Sequence, residues 1–197
     1  MNYPRLITQG PAVLPAPYLG AAIPGRIFFA EHLGFFGKVN KWYQRWRRDA
    51  DGALPPFPES GFIPTHVGII GAGRTALEST MFSGPTVGSL DRYLCPHYRL
   101  AIGRPVYWHS KEDVERALLR LAEKIRNYDC KYGYDWVSLL TCGLIQKNNA
   151  QICSELVTHF MNELLRENRE WNLVDDEFVL PIDWLRVSSL TWRSWSN

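Results

Sequence analysis

The sequence predicts an α+β domain in which a small antiparallel sheet or partial barrel packs on helices. Three observations carry that expectation. Residues 65–70 and 74–80 read as strands on either side of a Gly71-Ala72-Gly73 turn, the pattern of a β-hairpin. Ser110-Lys-Glu-Asp113 is a capping box, followed by Val114, Leu118, Leu121 and Ile125 at helical spacing. Ile152, Leu156, Phe160 and Leu164 recur every four residues, which is the period of a helix with one buried face.

The elements follow in chain order. Residues 1–23 hold Pro4, Pro11, Pro15 and Pro17, and Pro24 follows at once, so an extended arm is expected there in place of a packed element. Residues 25–30 read as a short strand. Residues 35–48 read as a helix with Phe35, Val39, Trp42 and Trp46 on one side. Lys38, Lys41, Arg45, Arg47 and Arg48 lie mostly elsewhere on it. Such a helix can rest on a membrane or an anionic polymer. The preferred reading is a domain helix with a solvated basic face. A Pro-, Gly- and Asp-rich loop over 49–64 leads to the hairpin, and a further strand is expected at about 98–103. After the capped helix come a Tyr- and Gly-rich loop over 128–136, a helix over 137–144, and the helix that begins near Cys153 and runs to about Glu167. Residues 24–187 form the domain and 188–197 a tail.

Composition narrows the function. The chain has 197 residues, enough for one domain with a full core, and 46% of them are hydrophobic. A net charge of +2 gives no argument for nucleic acid. No apolar run of about 18 residues offers a transmembrane helix. The N-terminal residues lack a basic segment followed by an apolar one, so no secretory signal is expected. Cys95, Cys130, Cys142 and Cys153 show no dense disulfide framework, and reduced thiols are expected. Cys95-Pro-His97 supplies too few ligands for a metal site, and no cofactor is expected.

The chemistry gathers around Cys153, in Gln151-Ile-Cys-Ser-Glu-Leu-Val. In the first turn of a helix, free backbone N–H groups and the helix dipole favour thiolate over thiol. The competing reading is a small apolar residue buried at a helix start. A nucleophile needs a base, drawn from His32, His66, His97, His109 and His159. His159 lies two turns along the same helix and about 120° around its axis, out of reach of the sulfur. His66 opens a strand and is the best-placed rigid base. If the hairpin turns about Ala72, His66 faces Glu78 across the strands, with Cβ atoms about 4.5–5.5 Å apart. Glu78 would then accept a hydrogen bond from Nδ1–H and leave Nε2 for the sulfur, the base–orienter arrangement of a triad. A bulge would shift that register.

The order strand, amphipathic helix, Thr65-His-Val-Gly-Ile, hairpin with Glu78 and late Cys153-Ser-Glu-Leu-Val resembles the circularly permuted NlpC/P60 papain-like hydrolases, the YiiX-like group. Residues 88–93, 132–135 and 180–185 also match, and the resemblance spans about 24–187. It implies a papain-like fold, Cys153 as nucleophile, His66 as base and Glu78 as the third, polar residue. Tyr134, in the matching Tyr-containing loop, and Gln151, next to the nucleophile in sequence, are candidate oxyanion or substrate donors.

The resemblance implies a cysteine peptidase or amidase acting on peptidoglycan stem peptides, with that peptide as partner. Without a signal, such an enzyme needs a specialised route to the periplasm or a target cell. It would then work as an antibacterial effector or lytic protein, with an immunity protein or secretion adaptor as partner. The alternative is a lipid-directed acyl hydrolase or acyltransferase whose segment 35–48 touches membrane. A binding module without catalysis is a third.

Overall fold

The apolar run Ile27-Phe28-Phe29-Ala30 becomes the middle of a sheet with both faces covered. All four residues are fully buried, so the run is continuous where a half-solvated strand would alternate. In the computed structural model, residues 5–7, 22–51, 62–80, 82–105, 110–127, 153–165 and 192–193 are described. The strands are β1 (Arg5–Ile7), β2 (Ile27–His32), β3 (His66–Ile70), β4 (Thr75–Thr80), β5 (Gly84–Ser89), β6 (Tyr98–Pro105) and β7 (Trp192–Arg193). The helices are α1 (Phe35–Asp51), α2 (Lys111–Arg126) and α3 (Cys153–Leu165). The architecture is mixed α+β. Five central strands run in the order β6–β2–β3–β4–β5, with every described pairing antiparallel, and β1 and β7 both pair with β6.

Two cores lie on opposite sides of this sheet. Ile27, Phe29, Val67, Ile69, Leu77 and Ala101 meet Val114, Ala117, Leu121 and Ile125 of α2 and Leu156, Val157, Phe160, Met161 and Leu164 of α3. Phe28, Ala30, Ile70 and Ala76 meet Leu90, Tyr93, Leu94, Leu100 and Ile102. Helix α2 starts as its capping box requires, with the Ser110 hydroxyl accepting from the Asp113 N–H at 3.1 Å.

Three expectations change, and one strand is added. The arm is not wholly free, because Arg5–Ile7 pairs with Ile102–Leu100. That three-residue stretch is free of proline and can join the β6 ladder. The tail likewise contributes Trp192–Arg193 against β6. Residues 84–89, to which the sequence reading assigns no element, make β5, an outer strand where Pro85 is tolerated. The hairpin turns about Gly73, not Ala72. Gly71 N–H donates to the Thr75 carbonyl at 2.8 Å, enclosing Ala72, Gly73 and Arg74. Gly73 and Arg74 both have φ of 62°, a left-handed conformation that glycine adopts freely and arginine rarely. Ile70 therefore pairs with Ala76 and Ile69 with Leu77, which puts Gly68, not His66, opposite Glu78.

Helix α1 corrects a further expectation. Its stripe of Phe35, Val39, Trp42 and Trp46 faces outward, while Gly37 and Gln44 are buried. The helix is held by polar contacts. Lys41 Nζ meets the buried Glu31 at 2.8 Å, Arg99 also pairs with Glu31, and Gln44 Nε2 donates to the Pro64 carbonyl at 2.7 Å. A side chain at Gly37 would place Cβ 1.8 Å from the His32 carbonyl oxygen. Gly37→Ala is therefore expected to destabilise the fold by about 1–3 kcal/mol or more, because backbone must move. Urea unfolding would read this as a lower midpoint.

The expected helix over 137–144, the loop over 128–136 and residues 180–185 lie outside the described residues. No helix among the described residues is long and apolar enough to cross a membrane.

Candidate active site

His66 is the first residue of β3, at the end of a strand that is otherwise buried. Strand alternation puts it on the same face as Gly68 and Ile70, and on that face Phe28 and Tyr93 pack around its ring. The His66 and Tyr93 rings are nearly parallel, 17° apart with centroids at 5.5 Å. Phe28 sits 5.9 Å from His66 and 5.1 Å from Tyr93. The imidazole is thus held on two sides by aromatic surface.

Glu78 reaches His66 although it is not its direct cross-strand partner. The two are diagonal neighbours, still on one face, and such pairs lie within reach of long side chains. Glu78 Oε2 stands 2.7 Å from His66 Nε2. The expected roles of the ring nitrogens are therefore reversed: Nε2 is taken by the carboxylate, and Nδ1 is the nitrogen left for the sulfur. Glu78 is fully buried. Its Oε2 also accepts from the Tyr93 hydroxyl and pairs with Arg92 Nη2 at 2.7 Å. Arg92 in turn donates to the Tyr93 hydroxyl at 2.6 Å. The second oxygen, Oε1, is buried with no hydrogen-bond partner among the described residues.

Cys153 opens α3, as its sequence pattern requires, and is 2% exposed within the core between helices and sheet. Cys153 and Cys95 are both free thiols. Burial pulls the His66 pKa down, but charge and hydrogen bonding at Cys153 and at Glu78 outweigh it and lift the value to about 9. Burial pushes Glu78 up, and the hydrogen bonds from His66 and Tyr93 with the His66 and Arg92 charges hold it below the usual carboxylate range. Burial and the Glu78 charge raise Tyr93, so its hydroxyl stays a donor.

The site borders a cleft of about 520 Å³, lined by His66 and Tyr93 together with residues from α1 and the β4–β5 turn, among them Phe36, Asn40, Thr80 and Phe82. Cys153 is not among the lining residues, so the cleft reaches the pair from the histidine side. His32 also lines the cleft, and its Nδ1 accepts from the Gly34 N–H at 3.2 Å. His97 is exposed on the loop before β6, and His159 lies farther along α3.

The structure thus pairs His66 with Glu78, and Cys153 is near enough to His66 to raise its pKa. Tyr134 and Gln151 lie outside the described residues. Sequence reasoning gives Arg92 and Tyr93 no role, although they sit in a segment that carries the resemblance. Their contact with Glu78 depends on the short 3₁₀ turn over Leu90–Leu94 folding back over the sheet, which periodicity does not reveal. Among the described residues no three His, Cys, Asp or Glu side chains are grouped to hold a metal ion.

No protein-family model matches the chain, and no curated protein matches it.

Proposed function

We propose that the chain is a papain-like cysteine hydrolase, related in its permuted order to the NlpC/P60 group, with Cys153, His66 and Glu78 as its catalytic triad. The observation that supports this most strongly is the His66–Glu78 pair at 2.7 Å, with Cys153 close enough to help raise the His66 pKa.

The proposed roles are these. The raised His66 pKa keeps the imidazole protonated, a proton donor next to the Cys153 sulfur. The thiolate attacks an acyl carbon, and the sulfur–carbon bond forms as the carbonyl electrons move to oxygen. The N–H of Cys153 at the start of α3 helps hold that oxyanion. The intermediate collapses, the carbon–nitrogen bond breaks, and the Nδ1 proton passes to the leaving amine. Neutral His66 then takes a proton from water, whose oxygen attacks the thioester and frees the acid and the thiolate. Glu78 keeps the ring turned so that Nδ1 faces the sulfur throughout.

The substrate we infer is an amide bond in a peptidoglycan stem peptide. Purified protein is expected to release new amines from sacculi, and Cys153→Ala is expected to release none. Sacculi left unchanged by the native chain would refute this substrate. A second reading, a lipid-borne acyl group, is favoured by one observation: the exposed aromatic residue Phe36 of α1 forms part of the cleft wall. Analysis of lipid products after incubation with liposomes separates the two.

A further inference from the structure

Helix α1 turns outward the side that its sequence makes apolar. Phe35 is 74% exposed, Val39 47%, Trp42 65% and Trp46 52%. These residues recur at helical spacing and form one stripe. The stripe contributes little to the fold, because α1 is fixed from its other side by Gly37, Lys41 and Gln44. On its flank, Lys38 and Arg45 are exposed and have no carboxylate partner among the described residues. From residue 35 to 48 the sequence has five cations and no acid.

We propose that α1 is an interfacial anchor that docks the chain on an anionic lipid bilayer and turns the mouth of the cleft toward the lipid. Tryptophan and phenylalanine on one helix face, with lysine and arginine beside them, suit the boundary between headgroups and acyl chains. The positive flank complements anionic headgroups. A second copy of this chain could cover the apolar stripe, but a symmetric contact would bring Lys38 and Arg45 near their own counterparts, with no acidic residue on residues 35–48 to offset them. The stripe is also continuous with the cleft. Phe36, 69% exposed, follows Phe35 on α1 and lines the cleft, and Phe82, 93% exposed, lines it from the β4–β5 turn. Docking by α1 therefore sets the approach to His66 against the lipid surface. The docking itself does not depend on hydrolysis, whereas the orientation of the cleft rests on the second substrate reading above.

Co-sedimentation of the full chain with vesicles tests the proposal. The chain is expected to pellet with equal parts phosphatidylcholine and phosphatidylglycerol, and to stay in solution with phosphatidylcholine alone. Lys38→Ala and Arg45→Ala should each weaken binding about fivefold. The double variant Trp42→Ser/Trp46→Ser should lose binding. Its substitutions are at exposed positions, so its circular dichroism and its rate of Cys153 alkylation should match the native chain. Cys153→Ala should pellet like the native chain, which separates loss of docking from loss of catalysis. Failure to pellet with anionic vesicles would overturn the proposal. So would equal binding to both vesicle types, undiminished binding of the double variant, or a dimer that the double variant dissolves.

Discussion

His66→Ala is expected to lower turnover by about 10²–10⁴-fold while the chain stays folded, because the variant loses both the proton donor to the leaving group and the base that activates water. The side chain is partly exposed at the start of β3 and belongs to neither buried core, although Phe28 and Tyr93 pack against its ring. Glu78 keeps Tyr93 and Arg92 as partners when the imidazole is gone. A purely structural histidine would leave turnover near native, however far the unfolding midpoint falls. Single-turnover kinetics with a thermal scan on the same preparation distinguishes the two.

The second large effect is expected at Glu78. Glu78→Gln keeps the volume of a fully buried side chain but removes its charge. Turnover should fall by about 10²–10⁴-fold, as it does when the group orienting a catalytic histidine is neutralised. The pH profile carries the more specific signature. Burial lowers the His66 pKa, and the Cys153 and Glu78 contributions together raise it to about 9. The native chain should therefore lose the proposed activity as pH rises through about 9, where His66 gives up its proton. Without the Glu78 charge that alkaline limit should move to lower pH. Stability follows the same sign. A histidine whose folded pKa exceeds its ordinary 6.5 stabilises fully below that value and loses the contribution as pH rises through about 9. Glu78 is lowered, so its contribution is present above its ordinary 4.5 and is lost as pH falls through the depressed value. In Glu78→Gln the alkaline loss of stability should shrink and the acid loss from this group should vanish. An unchanged alkaline limit would mean that Glu78 does not act through His66.

Helices were the most legible part of the fold, because a buried face repeats at 3.6 residues whatever lies opposite it. Val114, Leu121 and Ile125 of α2 and Leu156, Phe160 and Leu164 of α3 are all buried as their spacing predicts. Periodicity shows that a helix has an apolar face, but not whether protein covers it. That is why α1, with the same pattern, has its stripe exposed. The hairpin was legible in its strands and not in its register. Its turn places Arg74 in a left-handed conformation that nothing in the residue type announces. The shift of two residues preserves the face, so Glu78 still meets His66, by Nε2 rather than Nδ1. The support from Arg92 and Tyr93 depends on a tertiary fold-back and had no local signal.

Competitive alkylation of Cys153 and Cys95 at pH 7 tests the central claim most directly. Accessibility alone favours Cys95, which is partly exposed while Cys153 is buried. A thiolate paired with His66 predicts the reverse order, with iodoacetamide labelling Cys153 first and His66→Ala slowing Cys153 without changing Cys95. Cys153 labelling no faster than Cys95 in the native chain, or at the same rate in His66→Ala, would contradict the triad.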